Sequence, residues 1–260
     1  MDIGRDALLL GAAALAGGVN AVAGGGTLLS FPAAMAWGLP STVANATNAV
    51  ALVPGSFASA WAYRRELGAV RSVVALLALP AVVGGVLGAV ILRYTPVRRF
   101  DAIVPWLVLG ATLAILFQRR MPRPALGAAA GAGGPPSRRR AATAVGLQLA
   151  VGVYGGFFGA AMGIVMLALL PLVVPGGIQH RNAVKNLLAV LINGVASLYF
   201  VAVGLVNGHA ALLMAAGAVA GGFVGGHLAR RAPAGVVRAQ VVAIGLGLSA
   251  LLAYRAYARA

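Results

Sequence analysis

Lys185 is the only lysine in the chain, and it stands in HRNAVKNLLAVLING at the start of an apolar segment. On a helix, Asn182, Lys185 and Asn186 lie three and four residues apart and share one face. A single cation flanked by two amide donors is the chemistry of a small-anion site. The competing reading is that Lys185, only a few residues into its segment, extends its ammonium to the interface and binds nothing. The scarcity of acids weighs against that reading, because Asp2, Asp6, Glu66 and Asp101 are the only carboxylates and all sit near segment ends. A charge inside a membrane is costly and is normally paired, so here a bound anion itself can be the partner.

A second polar set interrupts the long uncharged run at the N-terminus, where no Asp, Glu, Lys or Arg occurs from Ala7 to Tyr63. It comprises Asn20, Gly24, Gly25, Gly26 and Thr27, followed by Asn45, Thr47 and Asn48. Asn45 and Asn48 can project their amides to one side of a helix, and the adjoining glycines permit close backbone approach. Buried Asn and Thr in membrane helices also serve simply to bridge to a neighbouring helix. Glycine-rich backbone in a bilayer, however, is tolerated only where it is buried in protein or lines a cavity. In transporters such broken segments often hold the substrate, with half-helix N-termini facing an anion.

The composition sets the class. With 61% hydrophobic and 9% charged residues over 260 positions, and a mean hydropathy of +0.94, the chain lies outside the range of soluble domains. The formal charge of +16 is carried almost wholly by arginines at the ends of apolar segments or in one linker, which suits headgroups and the cytoplasmic face and argues against nucleic acid. There are no cysteines, which removes disulfides, iron–sulfur clusters and thiol chemistry. Enzyme signatures are missing: Gly24 to Gly26 lack the Lys-Ser/Thr of a phosphate loop, no Gly-x-Ser-x-Gly occurs, and His180, His209 and His227 lack metal-site spacing. No cofactor or metal is expected. Asp2, Arg5 and Asp6 before the first apolar run superficially resemble a secretory signal, but the acidic flank and the apolar continuation argue against cleavage.

These residues must be positioned by about eight hydrophobic segments, near 7–37, 42–63, 72–92, 100–118, 143–175, 182–206, 209–229 and 236–256. The expected fold is an all-α polytopic membrane protein made of two homologous four-segment repeats, 1–118 and 143–260. Between them, 119–142 forms an Arg/Pro/Gly-rich cytoplasmic linker. The first and fifth segments are too long for one span and contain glycine clusters, so each is broken or re-entrant.

The repeat rests on a shift of 137 residues, which places Gly84, Gly85 and Gly88 on Gly221, Gly222 and Gly225, Arg93 on Arg230, Pro96 on Pro233 and Gly110 on Gly247. One more inserted residue places Thr47 and Asn48 on Lys185 and Asn186. If the long segments cross, the repeats are parallel; if they enter and return, the repeats are inverted. The arginine tally favours a cytoplasmic linker either way, about 12 against 7 or about 13 against 6. The small-xxx-small pairs Gly84/Gly88 and Gly221/Gly225 read as helix-packing contacts. Pro54–Gly55 and Asn193–Gly194 should loosen their helices, and Glu66 beside Arg64 and Arg65 reads as an interfacial charge.

NAVAGGGTLLSFPAAMAWGLPSTVANATNAVALVPGSFASAWAYRREL resembles the first-repeat signature of the sulfite exporter TauE/SafE family, also called the toluene-sulfonate uptake permease group. GVYGGFFGAAMGIVMLALL followed by NAVKNLLAVLING resembles its second-repeat signature. The resemblance covers essentially the whole chain apart from the linker. It implies a multi-pass permease of the bacterial inner membrane, moving sulfite, sulfoacetate or related organosulfonates, often outward. By motif match the pathway residues are Asn20, Gly24, Gly25, Gly26, Thr27, Asn45, Thr47, Asn48, Asn182, Lys185 and Asn186. One departure is Ala161 with Met162 in GAAMGI, where many relatives keep a further glycine. The expected partners are a small anion and the lipid bilayer, with room for a homodimer. A non-transporting assembly or sensory role is the alternative.

Overall fold

The computed structural model of the protein describes residues 3–22, 25–117, 137–174, 177–228 and 234–257. The chain is all-helical over these residues. In order, the helices are α1 (Ile3–Val22), α2 (Thr27–Trp37), α3 (Ser41–Ala62), the short α4 (Arg64–Leu67), α5 (Arg71–Tyr94) and α6 (Val97–Phe117). They continue with α7 (Arg138–Phe157), α8 (Met162–Leu169), α9 (Ile178–Ala202), α10 (Gly208–Leu228) and α11 (Ala234–Tyr257). Most of the expected linker lies outside the described residues, as do Gly24, Arg230 and Pro233. Its last part is helical: α7 starts at Arg138, where the Ser137 hydroxyl caps the Arg140 N–H at 3.5 Å.

The first long segment enters and returns. At Gly25 the backbone takes φ +103°, a conformation that favours glycine; a Cβ there would also sit 2.6 Å from the Ile115 side chain. Past this turn α2 runs antiparallel to α1, so that Trp37 at its end donates its indole N–H to Asp6 near the start of α1, at 2.9 Å. Gly38, at φ +121°, closes α2 by donating to the Ala34 and Met35 carbonyls.

The fifth segment behaves likewise. It turns between Phe158 and Ala161, using Gly159 at φ +75° and Ala161 at φ +57°, and α8 leads back to the end from which α7 set out. The two hairpins meet in the core, where Phe158 packs edge-on against Phe31 of α2 at 5.5 Å and against Phe100 of α6 at 6.3 Å.

Long helices then pair across the halves: α1 lies along α10, α5 along α7, α6 along α11, and α3 against α9. The first two pairs depend on backbone contact. A Cβ on Gly84 would stand 2.6 Å from the Leu149 carbonyl oxygen, and one on Gly221 would overlap the Ala14 carbonyl oxygen. Gly17 and Gly152 complete these seams against Ala218 and Gly84. In lipid no hydrophobic force drives helices together, so close van der Waals approach of small residues supplies the cohesion.

Three described helical stretches are long and apolar enough to cross a membrane: Arg64–Tyr94, Val97–Phe117 and Ile178–Ala202. Their outward faces carry large apolar side chains, among them Leu79, Trp106 and Leu198, which suits acyl chains rather than water. The protein is thus a multi-pass α-helical membrane protein. Helices α3 and α9 remain continuous through Pro54–Gly55 and Asn193–Gly194.

Candidate functional site

The polar groups of the first half are engaged by the protein itself. Asn20 stays exposed at the end of α1 and accepts through Oδ1 from the N–H groups of Gly25 and Gly26, at 3.2 and 3.5 Å. It therefore supplies the leading amides of α2 with the acceptor that the helix start lacks. Thr27, half-buried, begins α2. Ser30, one turn on, lies 2.5 Å from Asn48 Oδ1 and 3.2 Å from the Gly26 carbonyl, and its single proton goes to the nearer acceptor.

Asn45 donates its amide to the Phe157 carbonyl at 2.8 Å, satisfying an otherwise open acceptor at the end of α7. Thr47 Oγ1 accepts the Asn207 N–H at 3.1 Å, and Asn207 in turn accepts from Ala210 N–H at 2.9 Å as α10 begins. Asn45, Thr47 and Asn48 are all buried. Removing the Ser30–Asn48 bond should therefore cost stability: Ser30→Ala leaves the buried Asn48 oxygen without its donor. A loss of about 1–3 kcal/mol is expected, checked as a lower melting temperature in detergent with transport of the surviving protein retained.

The second half differs. Asn182, Lys185 and Asn186 lie half-buried on one face of α9, and no hydrogen bond or ion pair among the described residues engages these side chains. The stem of Lys185 runs beside Gly163 in the first turn of α8, whose Cβ position would be 3.3 Å from the lysine Cδ. Helix α8 starts without a side-chain cap, whereas Asn20 holds the Gly25 and Gly26 N–H groups just ahead of α2. Farther up the same face, Asn193 Oδ1 approaches Gly159, 3.9 Å from where a Cβ would stand.

The two sets are not joined into one cluster. Helices α3 and α9 pack antiparallel: the Thr47–Asn207 bond ties the start of α3 to the chain leaving α9, while α4, just past the end of α3, packs on α9. Asn48 and Lys185 are each seven residues into their helices, so each lies ~10 Å in from opposite ends of the molecule. Sequence spacing put both sets on equivalent positions; only the antiparallel packing sends them to opposite depths.

Ser30, Asn207 and Gln148 are the polar residues that sequence reasoning missed. Ser30 was legible as the one hydroxyl a turn beyond the glycines. The cavity of about 280 Å³ lined by Pro105, Trp106, Leu109, Leu246, Ser249, Ala250 and Ala253 lies between α6 and α11. Its lining comes from α6 and α11 alone, and its one hydroxyl, Ser249, is spent on the Pro105 carbonyl at 2.8 Å, so it does not compete as an anion site. Glu66, expected to be satisfied by its arginine neighbours, has a buried Oε2 without a hydrogen-bond partner among the described residues.

Comparison with known proteins decides the family. The family model described as sulfite exporter TauE/SafE matches residues 9–252. The chain belongs to the TauE/SafE sulfite exporter family. This member is similar to a "Probable membrane transporter protein" of Haemophilus influenzae, 26% identical over 267 residues and covering 98% of this chain and 97% of that one. It is also similar to "Probable membrane transporter protein YfcA" of Escherichia coli K12, 28% identical over 256 residues and covering 95% and 90%. No solved structure matches the chain. Membership makes this TauE/SafE protein a membrane transporter, in a family of transporters rather than enzymes.

Proposed function

We propose that this family member is a secondary transporter, working outward, of small sulfur oxyanions such as sulfite or an organosulfonate like sulfoacetate, and that it holds the anion at the second hairpin. The observation that carries this reading is the contrast between the halves. The amides and hydroxyls around the first hairpin are bonded to protein, whereas Asn182, Lys185 and Asn186 have no protein partner among the described residues. In the proposed site the Lys185 ammonium supplies charge, the two asparagines supply N–H donors, and the uncapped start of α8 adds a positive helix end beside Gly163. Asn20, Asn45, Thr47 and Asn48 act as the frame that holds α2, α7 and α10 in register.

Two hairpins that each enter and return, together with the equivalent seams of Gly84 on Leu149 and Gly221 on Ala14, support two inverted repeats. Alternating access would rock one repeat against the other around the anion. The described arginines favour a cytoplasmic linker side. Arg64, Arg65, Arg71, Arg138, Arg139, Arg140, Arg181 and Arg238 belong to that end; Arg5, Arg93, Arg98, Arg99 and Arg255 belong to the other. No nucleotide-binding motif occurs in the sequence, so ion or substrate gradients would supply the driving force, across the bacterial inner membrane.

Counterflow in proteoliposomes against sulfite, sulfoacetate, sulfate and a carboxylate panel tests the reading. Saturable exchange of the sulfur oxyanions is expected. Exchange of neutral solutes or cations alone would overturn it.

A further inference from the structure

We propose that Gln148 is a substrate-binding residue, donating an Nε2–H hydrogen bond to the same anion that Lys185 attracts; the inference rests on the reading just given of the second hairpin. Gln148 is 3% exposed, in the middle of α7, and its amide nitrogen is buried without a hydrogen-bond partner. A glutamine NH2 carries two donors, and leaving them unmet in an apolar interior is unfavourable. Its α7 stripe runs through Ala144, Val151 and Gly155, and Ala144 and Val151 belong to a buried apolar cluster with Leu77, Met166 and Leu188. A group kept in so unfavourable a setting needs a partner that comes and goes.

The register of α7 on α9 points to that partner. The two helices run in the same direction, because α8 leads back to the end from which α7 set out and α9 starts there. A Cβ on Gly155 would stand 2.8 Å from Ile192 Cγ2, so Gly155 and Ile192 face each other at one level. Seven residues earlier on each helix are Gln148 and Lys185. Seven residues is close to two full turns, ~10 Å along the axis, so both return to the faces that meet higher up. The unpartnered amide and the unpaired cation therefore share a depth, on the faces of α7 and α9 that meet two turns higher, with Gly163 of α8 against the lysine stem. Sulfite and a sulfonate group each present three oxygens; an ammonium and asparagines from α9 supply one side, and Gln148 supplies a donor from the opposite wall. The matching seams, Gly84 on Leu149 and Gly221 on Ala14, set Leu149 beside Ala14 in the comparison of the hairpins and so put Ala13 at the place of Gln148 in the first half; this donor belongs to the second half alone.

The test is ligand-dependent thermal stability of the purified full-length protein in detergent, with sulfite, sulfoacetate and sulfate as probes, on wild type, Lys185→Met, Gln148→Met and Gln148→Glu. Gln148→Met keeps the volume and removes an unpartnered amide, so its ligand-free melting temperature should hold or rise. Its sulfite affinity should fall about tenfold or more, the size of one hydrogen bond to a charged ligand. Gln148→Glu places a carboxylate facing Lys185 and should lose binding more completely. Wild-type affinity in either Gln148 variant, with Lys185→Met inactive, overturns this inference alone. A marked drop in the ligand-free melting temperature of Gln148→Met would assign the amide a structural role and overturn it too. If wild type responds to none of the probes, the anion reading falls and Gln148 falls with it.

Discussion

Replacing Lys185 by methionine should abolish anion exchange while leaving the protein at wild-type levels in the membrane. The ammonium of Lys185 lies beside the start of α8, and at ~4 Å from an anion in a partly buried setting it is worth roughly 4 kcal/mol. Losing it lowers transport by roughly a hundredfold or more. The fold does not depend on it. No described carboxylate is left unpaired by its removal, and a methionine stem fills the same groove beside Gly163. The melting temperature without ligand should therefore be unchanged or higher, because an uncompensated charge leaves an apolar region. Lys185→Arg should retain part of the activity, since it keeps the charge in a larger, forked head. Undiminished exchange by Lys185→Met in proteoliposomes would remove Lys185 from the site.

The second large effect concerns folding. A Cβ on Gly88 would overlap the Val153 carbonyl and stand 2.7 Å from the Phe157 nitrogen and 2.9 Å from the Gly156 carbonyl carbon. These are backbone atoms that cannot swing aside. Gly88→Val must therefore push α5 off α7, at a cost of about 1–3 kcal/mol or more. Since α5 and α7 belong to different halves, the variant should lose the joined, monodisperse protein on size-exclusion chromatography in detergent. Gly221→Val should do the same to the seam between α1 and α10. Gly110→Val and Gly146→Val are the controls, because a Cβ at either site meets nothing within 4 Å, and both should elute as wild type. A wild-type profile for Gly88→Val would show that the seam tolerates separation.

These outcomes divide along a physical line. The sequence by itself determined the class, because 61% hydrophobic residues with four acids admits only a bilayer. It also determined the break points, since glycine clusters within two over-long apolar runs cannot lie bare in lipid. Lys185 was legible for the same reason, as the lone cation where charge is expensive. Family membership followed from motifs that are local in the chain.

What the chain could not show was the direction in which each broken segment continued. That depended on contacts between residues distant in sequence, such as Trp37 on Asp6 and Phe158 on Phe31. Hydrophobic pattern constrains which face of a helix is buried, not whether the next helix goes on or turns back. Tertiary packing alone has Asn45 and Thr47 spend their hydrogen bonds on neighbouring backbone and Asn48 on Ser30, while Asn182, Lys185 and Asn186 have no partner among the described residues. It alone left Gln148, one more glutamine to composition, buried with its amide nitrogen unpartnered. A hydrogen-bond donor declares its role only through what surrounds it, and those surroundings are assembled by helices that the chain brings together from far apart.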